Sequence, residues 1–203
     1  MNVSPSVIRR YVFIMGITLA VVFALWIFLA PGRAPGDFHT QTGDIRLGSG
    51  KYDEALEEFD RALEEMPDHR GALMGRALVF IHTGQDDQAV EQLTYLIKYL
   101  DDTLADDDRT GRGTLAAAYA NRGIVHDRNG RHEEALQDYL SALRTDPEPL
   151  EGPGILDRIV HQTPRPATVA KRAAYLTEQF KLPENERVLL MPELDEKERT
   201  YKP

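Results

Sequence analysis

Three stretches of the chain share one pattern of apolar positions. In the first, Gly50 precedes a turn, Ala55, Leu56, Phe59, Ala62 and Leu63 follow at helical spacing, and Pro67 stops the run. The second reads Gly84, then Ala89, Val90, Leu93, Leu96 and Ile97; the third reads Gly130, then Ala135, Leu136, Tyr139, Ala142, Leu143 and Pro147. Ala55 to Ala89 is 34 residues, and Ala89 to Ala135 is 46, which is the same period with a 12-residue insertion. A period of this size marks a helical repeat array. It predicts an all-α chain of paired helices at roughly 37–49 and 52–66, 70–83 and 86–100, and 114–129 and 132–146. Asp37 is the expected N-cap of the first helix, and Gly43 marks a close helix contact.

Between the second and third units, residues 101–113 carry five Asp and two Gly with no apolar rhythm. The run lacks the alternating ligands and sixth-position Gly of an EF-hand loop, so it reads as a solvated loop rather than a calcium site. After Pro147, a breaker cluster from Glu148 to Gly154 leads to a short helix outlined by Ile155, Leu156, Ile159 and Val160. A last helix to about Lys181 puts Val169, Ala173, Leu176 and Phe180 on one face. Residues 148–181 thus read as a degenerate fourth helix pair that caps the stack, since a repeat array needs atypical terminal units. Residues 182–203 read as an extended tail, in which Val188 to Met191 is an apolar run that packs on the body or binds a partner.

The other end differs in kind. Tyr11 to Ala30 is twenty residues without a charge, with Thr18 the single polar side chain. About 20 apolar residues suffice to span a hydrocarbon core of roughly 30 Å. A cleaved signal peptide is the alternative, but its apolar core would be shorter, and Pro31 and Pro35 follow the small residues where cleavage would fall. The run is therefore expected to be an uncleaved transmembrane anchor, with residues 1–10 as a short tail and 31–36 as a linker. Arg9 and Arg10 precede it against Arg33 behind it, which places the tail in the cytoplasm and the rest of the chain outside.

Composition narrows the partners. The formal net charge is −9. Arg9, Arg10 and Arg33 are the charged side chains of residues 1–33, so the remaining 170 residues carry 21 basic and 33 acidic groups. So acidic a body argues against nucleic acid, which needs clustered Lys and Arg. With no cysteine, disulfides, thiolate zinc sites and thiol nucleophiles are excluded. The six histidines, His39, His69, His82, His126, His132 and His161, show no zinc-protease spacing and read as surface or partly packed residues. No phosphate loop, dinucleotide fingerprint or catalytic constellation appears. No cofactor, metal or small-molecule substrate is expected.

The units resemble the tetratricopeptide repeat family, in which small residues recur at the eighth, twentieth and twenty-seventh positions, large ones at the eleventh and twenty-fourth, and proline at the thirty-second. Gly43, Ala55, Phe59, Ala62 and Pro67 match in the first unit; Ala77, Phe80, Ala89 and Leu93 in the second; Gly123, Ala135, Tyr139, Ala142 and Pro147 in the third. Leu96 and Asp101 depart from the pattern. The resemblance implies a solenoid of three clear repeats over residues 37–147, with a groove for a peptide or a partner's helix. Its groove positions project onto Met74, Leu78, His82, Asn121, Ile124 and Arg128. A known subclass clamps a terminal carboxylate; the corresponding positions here hold Thr40, Asp44, Gly75, Ala117 and Asn121, of which Asn121 alone fits. The resulting expectation is a non-enzymatic scaffold or adaptor in a bacterial cytoplasmic membrane, bound to lipid through residues 11–30, with its repeats in the periplasm. The alternatives are a chaperone-like helper near a translocon and an organelle outer-membrane receptor.

Overall fold

The helices form where the apolar periodicity places them. The computed structural model describes residues 5–29, 34–147 and 168–190; the breaker cluster from Glu148, the short helix outlined by Ile155 to Val160, and Met191 to Pro203 lie outside them. Residues 1–34 and 35–203 are separate units.

The first unit is one helix, α1 (Pro5–Leu29). Its described side chains, Arg9 and Tyr11 to Ala24, are all exposed. The apolar run is thus helical, as expected, whereas the expected transmembrane anchor is not shown. Among the described residues no helix is long and apolar enough to cross a membrane.

The second unit holds α2 (Asp37–Gly48), α3 (Tyr52–Glu65), α4 (Arg70–His82), α5 (Asp86–Thr103), α6 (Arg109–Arg128), α7 (His132–Thr145) and α8 (Val169–Phe180). Among the described residues every regular element is a helix. Each pair turns through the same device. Gly50, Gly84 and Gly130 have φ of 72°, 71° and 73°, a left-handed backbone that glycine adopts without steric cost. The next N–H then bridges back five residues: Lys51 to the Arg46 carbonyl, Gln85 to Phe80, and Arg131 to His126, at 2.8–2.9 Å. This Schellman closure satisfies carbonyls that a helix end leaves open.

Packing follows the pattern of small and large residues. The fully buried Phe59 on α3 lies between α2 and α4. A Cβ on Gly43 would come within 2.6 Å of its ring, and one on Gly75 within 2.3 Å. Tyr139 presses on Gly123 in the same way, within 2.7 Å of a Cβ there. Buried residues form three clusters: Ala55, Phe59, Ala62, Ala72 and Val79; a larger set around Leu73, Leu93, Leu96 and Leu100; and a third around Ile124, Tyr139, Val169 and Leu176. Each fully buried large apolar side chain contributes about 1.5–3 kcal/mol.

Two expectations are corrected. The N-cap of α2 is Gly36, not Asp37, and Asp37 is the first helical residue. The charged run 101–113 is mostly helix rather than loop. α5 continues to Thr103, α6 begins at Arg109, and only Leu104 to Asp108 connects them. The cause is local. Asp108 is an N-cap whose Oδ1 accepts from the Gly111 N–H at 2.7 Å, Leu104 packs on the core, and Tyr119 donates to Asp101 at 3.1 Å. Arg70 pairs with Asp108, and Arg112 donates to the Asp106 carbonyl at 2.6 Å.

At the far end α8 lies on α7 and buries Val169, Ala173 and Leu176. A short 3-10 turn, Glu184–Glu186, leads into an extended strap. Its Val188 N–H donates to Gln179 Oε1 at 2.7 Å, and its Val188 carbonyl accepts from the Tyr175 hydroxyl at 2.6 Å. Leu189 packs on the third cluster. Of Val188 to Met191, Leu189 packs on the body, whereas the Val188 and Leu190 side chains are exposed.

Candidate functional site

The first helices of the second and third pairs, α4 and α6, carry the six residues projected onto a groove, three on each. Four are interior: Met74 is 1% exposed, Leu78 3%, Asn121 0% and Ile124 1%. Met74 and Leu78 share a buried cluster with side chains of α5 and α6. Asn121 Nδ2 donates to Met74 Sδ at 3.5 Å, joining α6 to α4. Ile124 is covered by Tyr139 of α7 and by Val169 and Leu176 of α8. His82 and Arg128, at the last turns of α4 and α6, are exposed.

Two of the six do line a hollow. A cavity of about 510 Å³ is bounded by Asp44, Leu47 and Gly48 of α2, by Gly50 and Tyr52, and by Leu78 and His82 of α4. The Tyr52 and His82 rings stack at 5.6 Å with an interplanar angle of 11°. Leu47 and Leu78 give an apolar floor, the aromatic pair a wall, and Asp44 a carboxylate. Leu47 and Tyr52 were not projected from the sequence. Their signal was present in the register: Tyr52 aligns with Asp86 and His132, so it is the one tyrosine of the three at the start of a second helix.

The carboxylate-clamp positions hold no cation. Thr40, Ala117 and Asn121 are buried, and Thr40 Oγ1 lies 3.3 Å from His69 Nδ1. His69 is itself structural. Its Nδ1 accepts from the Ala72 N–H at 3.2 Å, which leaves Nε2–H to donate to Asp37 Oδ1 at 3.0 Å. His39 Nδ1 meets Glu58 at 2.7 Å, and the Gly36 N–H donates to Glu65 at 2.6 Å. His126 is half-buried and His132 buried, the latter more deeply than expected. His161 lies outside the described residues. Among the described residues no group of His, Asp or Glu is placed to hold a metal.

A buried polar cluster escaped the sequence reading. Asp127, at the end of α6, takes Arg172 Nε on Oδ2 at 2.6 Å and Arg172 Nη2 on Oδ1 at 2.8 Å. His132 Nδ1 donates to Oδ1 at 2.7 Å and the Tyr139 hydroxyl to Oδ2 at 3.2 Å. Arg172 Nη2 also donates to the Leu189 carbonyl at 2.8 Å. Burial pushes the Asp127 carboxyl up, but the Arg172 and His132 hydrogen bonds outweigh it and hold the group below its ordinary value. Burial lowers His126, only partly opposed by Asp138. The cluster ties α8 and the strap to the third unit. It is a seal, with no open face for a reactant.

Two tetratricopeptide repeat models match the chain, one over residues 40–102 and one over residues 116–149. Human tetratricopeptide repeat protein 6 is 26% identical over 99 residues, which is 49% of this chain and 16% of that protein. DnaJ homolog subfamily C member 3 is 28% identical in human and 29% in rat over 109 residues, or 54% of this chain and 19% of those proteins. The chain thus spans less than a fifth of the length of these relatives. A solved structure titled first TPR of Spaghetti (RPAP3) bound to HSP90 peptide SRMEEVD has 19% identity and a TM-score of 0.46, covering 59% of this chain and 85% of that one. The chain carries tetratricopeptide repeats, a fold that mediates protein–protein interaction and is typically non-enzymatic.

Proposed function

We propose that this repeat protein is a non-enzymatic adaptor, tethered to a membrane by its amino-terminal helix, that holds a partner protein in the hollow between α2 and α4. One observation carries the reading: Leu47, Leu78, Tyr52 and His82 converge around about 510 Å³, with Asp44 at the wall. A mainly apolar concavity with a few placed polar groups is the composition of a binding pocket. The chaperone-like alternative needs an exposed apolar lining that accepts many sequences. Met74 and Ile124 are buried instead, which favours a defined partner.

The tether rests on the sequence. Tyr11 to Ala30 carries no charge, and Arg9 and Arg10 lie ahead of it. In a bacterium this puts residues 1–10 in the cytoplasm and the repeats in the periplasm. Tethering raises the effective concentration of the repeats near partners in the same bilayer.

The chain has no cysteine, so single cysteines at Asn2 and Asp107 report topology. A membrane-impermeant thiol reagent on intact cells is expected to label Asp107→Cys and not Asn2→Cys. Labelling of Asn2→Cys alone reverses the orientation, and release of the chain by alkaline carbonate removes the tether. A photocrosslinker replacing His82 is expected to trap one discrete partner, and Leu47→Glu to abolish the product. A broad ladder of products instead supports the chaperone.

A further inference from the structure

Two arginines hold the same register position in successive units, Arg76 on α4 and, 46 residues on, Arg122 on α6. Both are gripped at their edges. Arg76 donates from Nε to Gln92 at 2.7 Å and from Nη1 to Asp60 at 2.9 Å, so it ties α3 to α5. Arg122 donates from Nε and Nη2 to Asp138 at 2.8 and 2.7 Å and from Nη1 to Thr94 at 3.0 Å, so it ties α5 to α7.

Their faces differ. In the third unit Tyr119 supplies a ring to the Arg122 guanidinium, with Cζ 5.7 Å from the ring centroid. The Tyr119 hydroxyl reaches Asp101 at 3.1 Å. In the second unit the residue aligned with Tyr119 is Leu73, and the residue aligned with Asp101 is Pro67. Leu73 is too short to lie over Arg76 and has no polar tip. In the second unit a cleft of about 490 Å³ remains, lined by Leu63, Pro67, Leu73, Arg76, Phe80 and Tyr95, with Glu91 also on its wall. Tyr95 is 51% exposed. An arginine already fixed at its edges loses little further freedom when an aromatic stacks on it.

We propose that this cleft is a docking site for an aromatic side chain presented by a partner protein, seated on Arg76 as Tyr119 is seated on Arg122. Glu91 stands in for Asp101 as acceptor of a phenolic hydroxyl or an indole N–H. The chain carries its own template for this ligand in the next unit. The site lies between α3 and α5 over α4 and shares no residue with the hollow that holds His82. It therefore stands whether or not that hollow binds a partner.

The test uses the full chain in nanodiscs, with Gln88→Cys at the cleft wall carrying a trifluoromethyl label. N-acetyltyrosinamide is expected to shift the fluorine resonance saturably, and N-acetylleucinamide is not. Arg76→Gln is expected to weaken the response about fivefold. Leu73→Tyr, which fills the cleft from within, is expected to abolish it. An equal response to the two amides, no response, or an unchanged response in folded Leu73→Tyr overturns the proposal. Should Leu73→Tyr fail to fold by circular dichroism, an unchanged affinity in Arg76→Gln overturns it. A shift that depends on protein concentration alone and vanishes in Tyr95→Ala assigns the cleft to a second copy and overturns it equally.

Discussion

The two ends of the repeat body are finished differently. At the carboxyl end α8 covers the third cluster, and the seam is a charged pair in the interior: Arg172 is 2% exposed and Asp127 4%. At the amino end α2 is held by half-buried contacts, His39 to Glu58 and His69 to Asp37, and its outer face leaves Phe38 and Ile45 61% and 63% exposed. A buried ion pair is not a general route to stability, because desolvation offsets much of the attraction. Its effect is to make one arrangement obligatory, since either charge left alone is costly. The amino end depends instead on the fit of Phe59 between glycines and on polar contacts that water can replace. The difference teaches that one end is locked in place and the other is only packed.

The largest expected effect breaks the lock. Arg172→Ala leaves Asp127 in the interior with His132 and Tyr139 alone. It is expected to cost about 3–5 kcal/mol in urea denaturation and to expose α8 and the strap to hydrogen exchange. Arg172→Met with Asp127→Asn, which removes both charges, is expected to cost less than either single change. A loss under about 1 kcal/mol for Arg172→Ala would mean that the seam does not hold the end.

At the packed end the sensitive point is volume, not charge. Gly75→Ala puts a Cβ within 2.3 Å of the Phe59 ring, which has backbone on both sides. Overpacking of that kind costs about 1–3 kcal/mol. Gly48→Ala, with nothing within 4 Å of the new atom, is the control and is expected to be neutral or slightly stabilising. Equal melting temperatures for the two variants would show that α4 shifts freely against α3.

Each end was legible to a different degree. Phe59 and the close contact at Gly43 could be read because the repeat places them at fixed intervals, and so could the turns at Gly50, Gly84 and Gly130, whereas the packing of Gly75 on the same ring was not read. The helix pairs were recovered to within a few residues wherever local pattern governed them. The Asp101 to Gly113 run was misread because its N-cap, Asp108, is hidden among like residues and its other supports, Leu104 on the core and Tyr119 on Asp101, are contacts that only the fold makes. Arg172 and Asp127 were missed because 45 residues separate them, and only the fold brings them together. Met74, Leu78, Asn121 and Ile124 lie on the helices named for them. Their burial depends on neighbours, among them α8 over Ile124, which a repeat register does not specify. The hollow at Tyr52 and His82 was half legible, since His82 and Leu78 were projected and Leu47 and Tyr52 were not.

Acid sharpens the contrast without mutation. Burial lowers His126, which faces Asp138 at 3.8 Å, with Arg122, Arg131 and Glu134 also acting on it. The unfolded chain therefore takes up this proton first, near 6.5, and stability falls as pH drops below that value. Asp127 is depressed, so its contribution is complete above the ordinary carboxylate value and is lost as pH falls through the lower, folded one. The His126 loss acts on the third unit at mild acidity and the Asp127 loss follows only below the ordinary carboxylate range, so the locked end is expected to loosen first on acidification. Hydrogen exchange at pH 7 and 5.5 checks this, and His126→Gln is expected to flatten the change between them. Faster exchange in α2 than in α8 on acidification would reverse the assignment.

The smallest expected effect lies on the exposed face of α2. Phe38 and Ile45 are seven residues apart, so they project from one side of the helix. They are not members of the buried clusters. Phe38→Ser and Ile45→Ser are therefore expected to change stability by no more than about 0.5 kcal/mol, the range of surface substitutions. A loss of 2 kcal/mol or more in urea denaturation of the full chain would mean that this face is covered in solution. The amino end would then be sealed like the other.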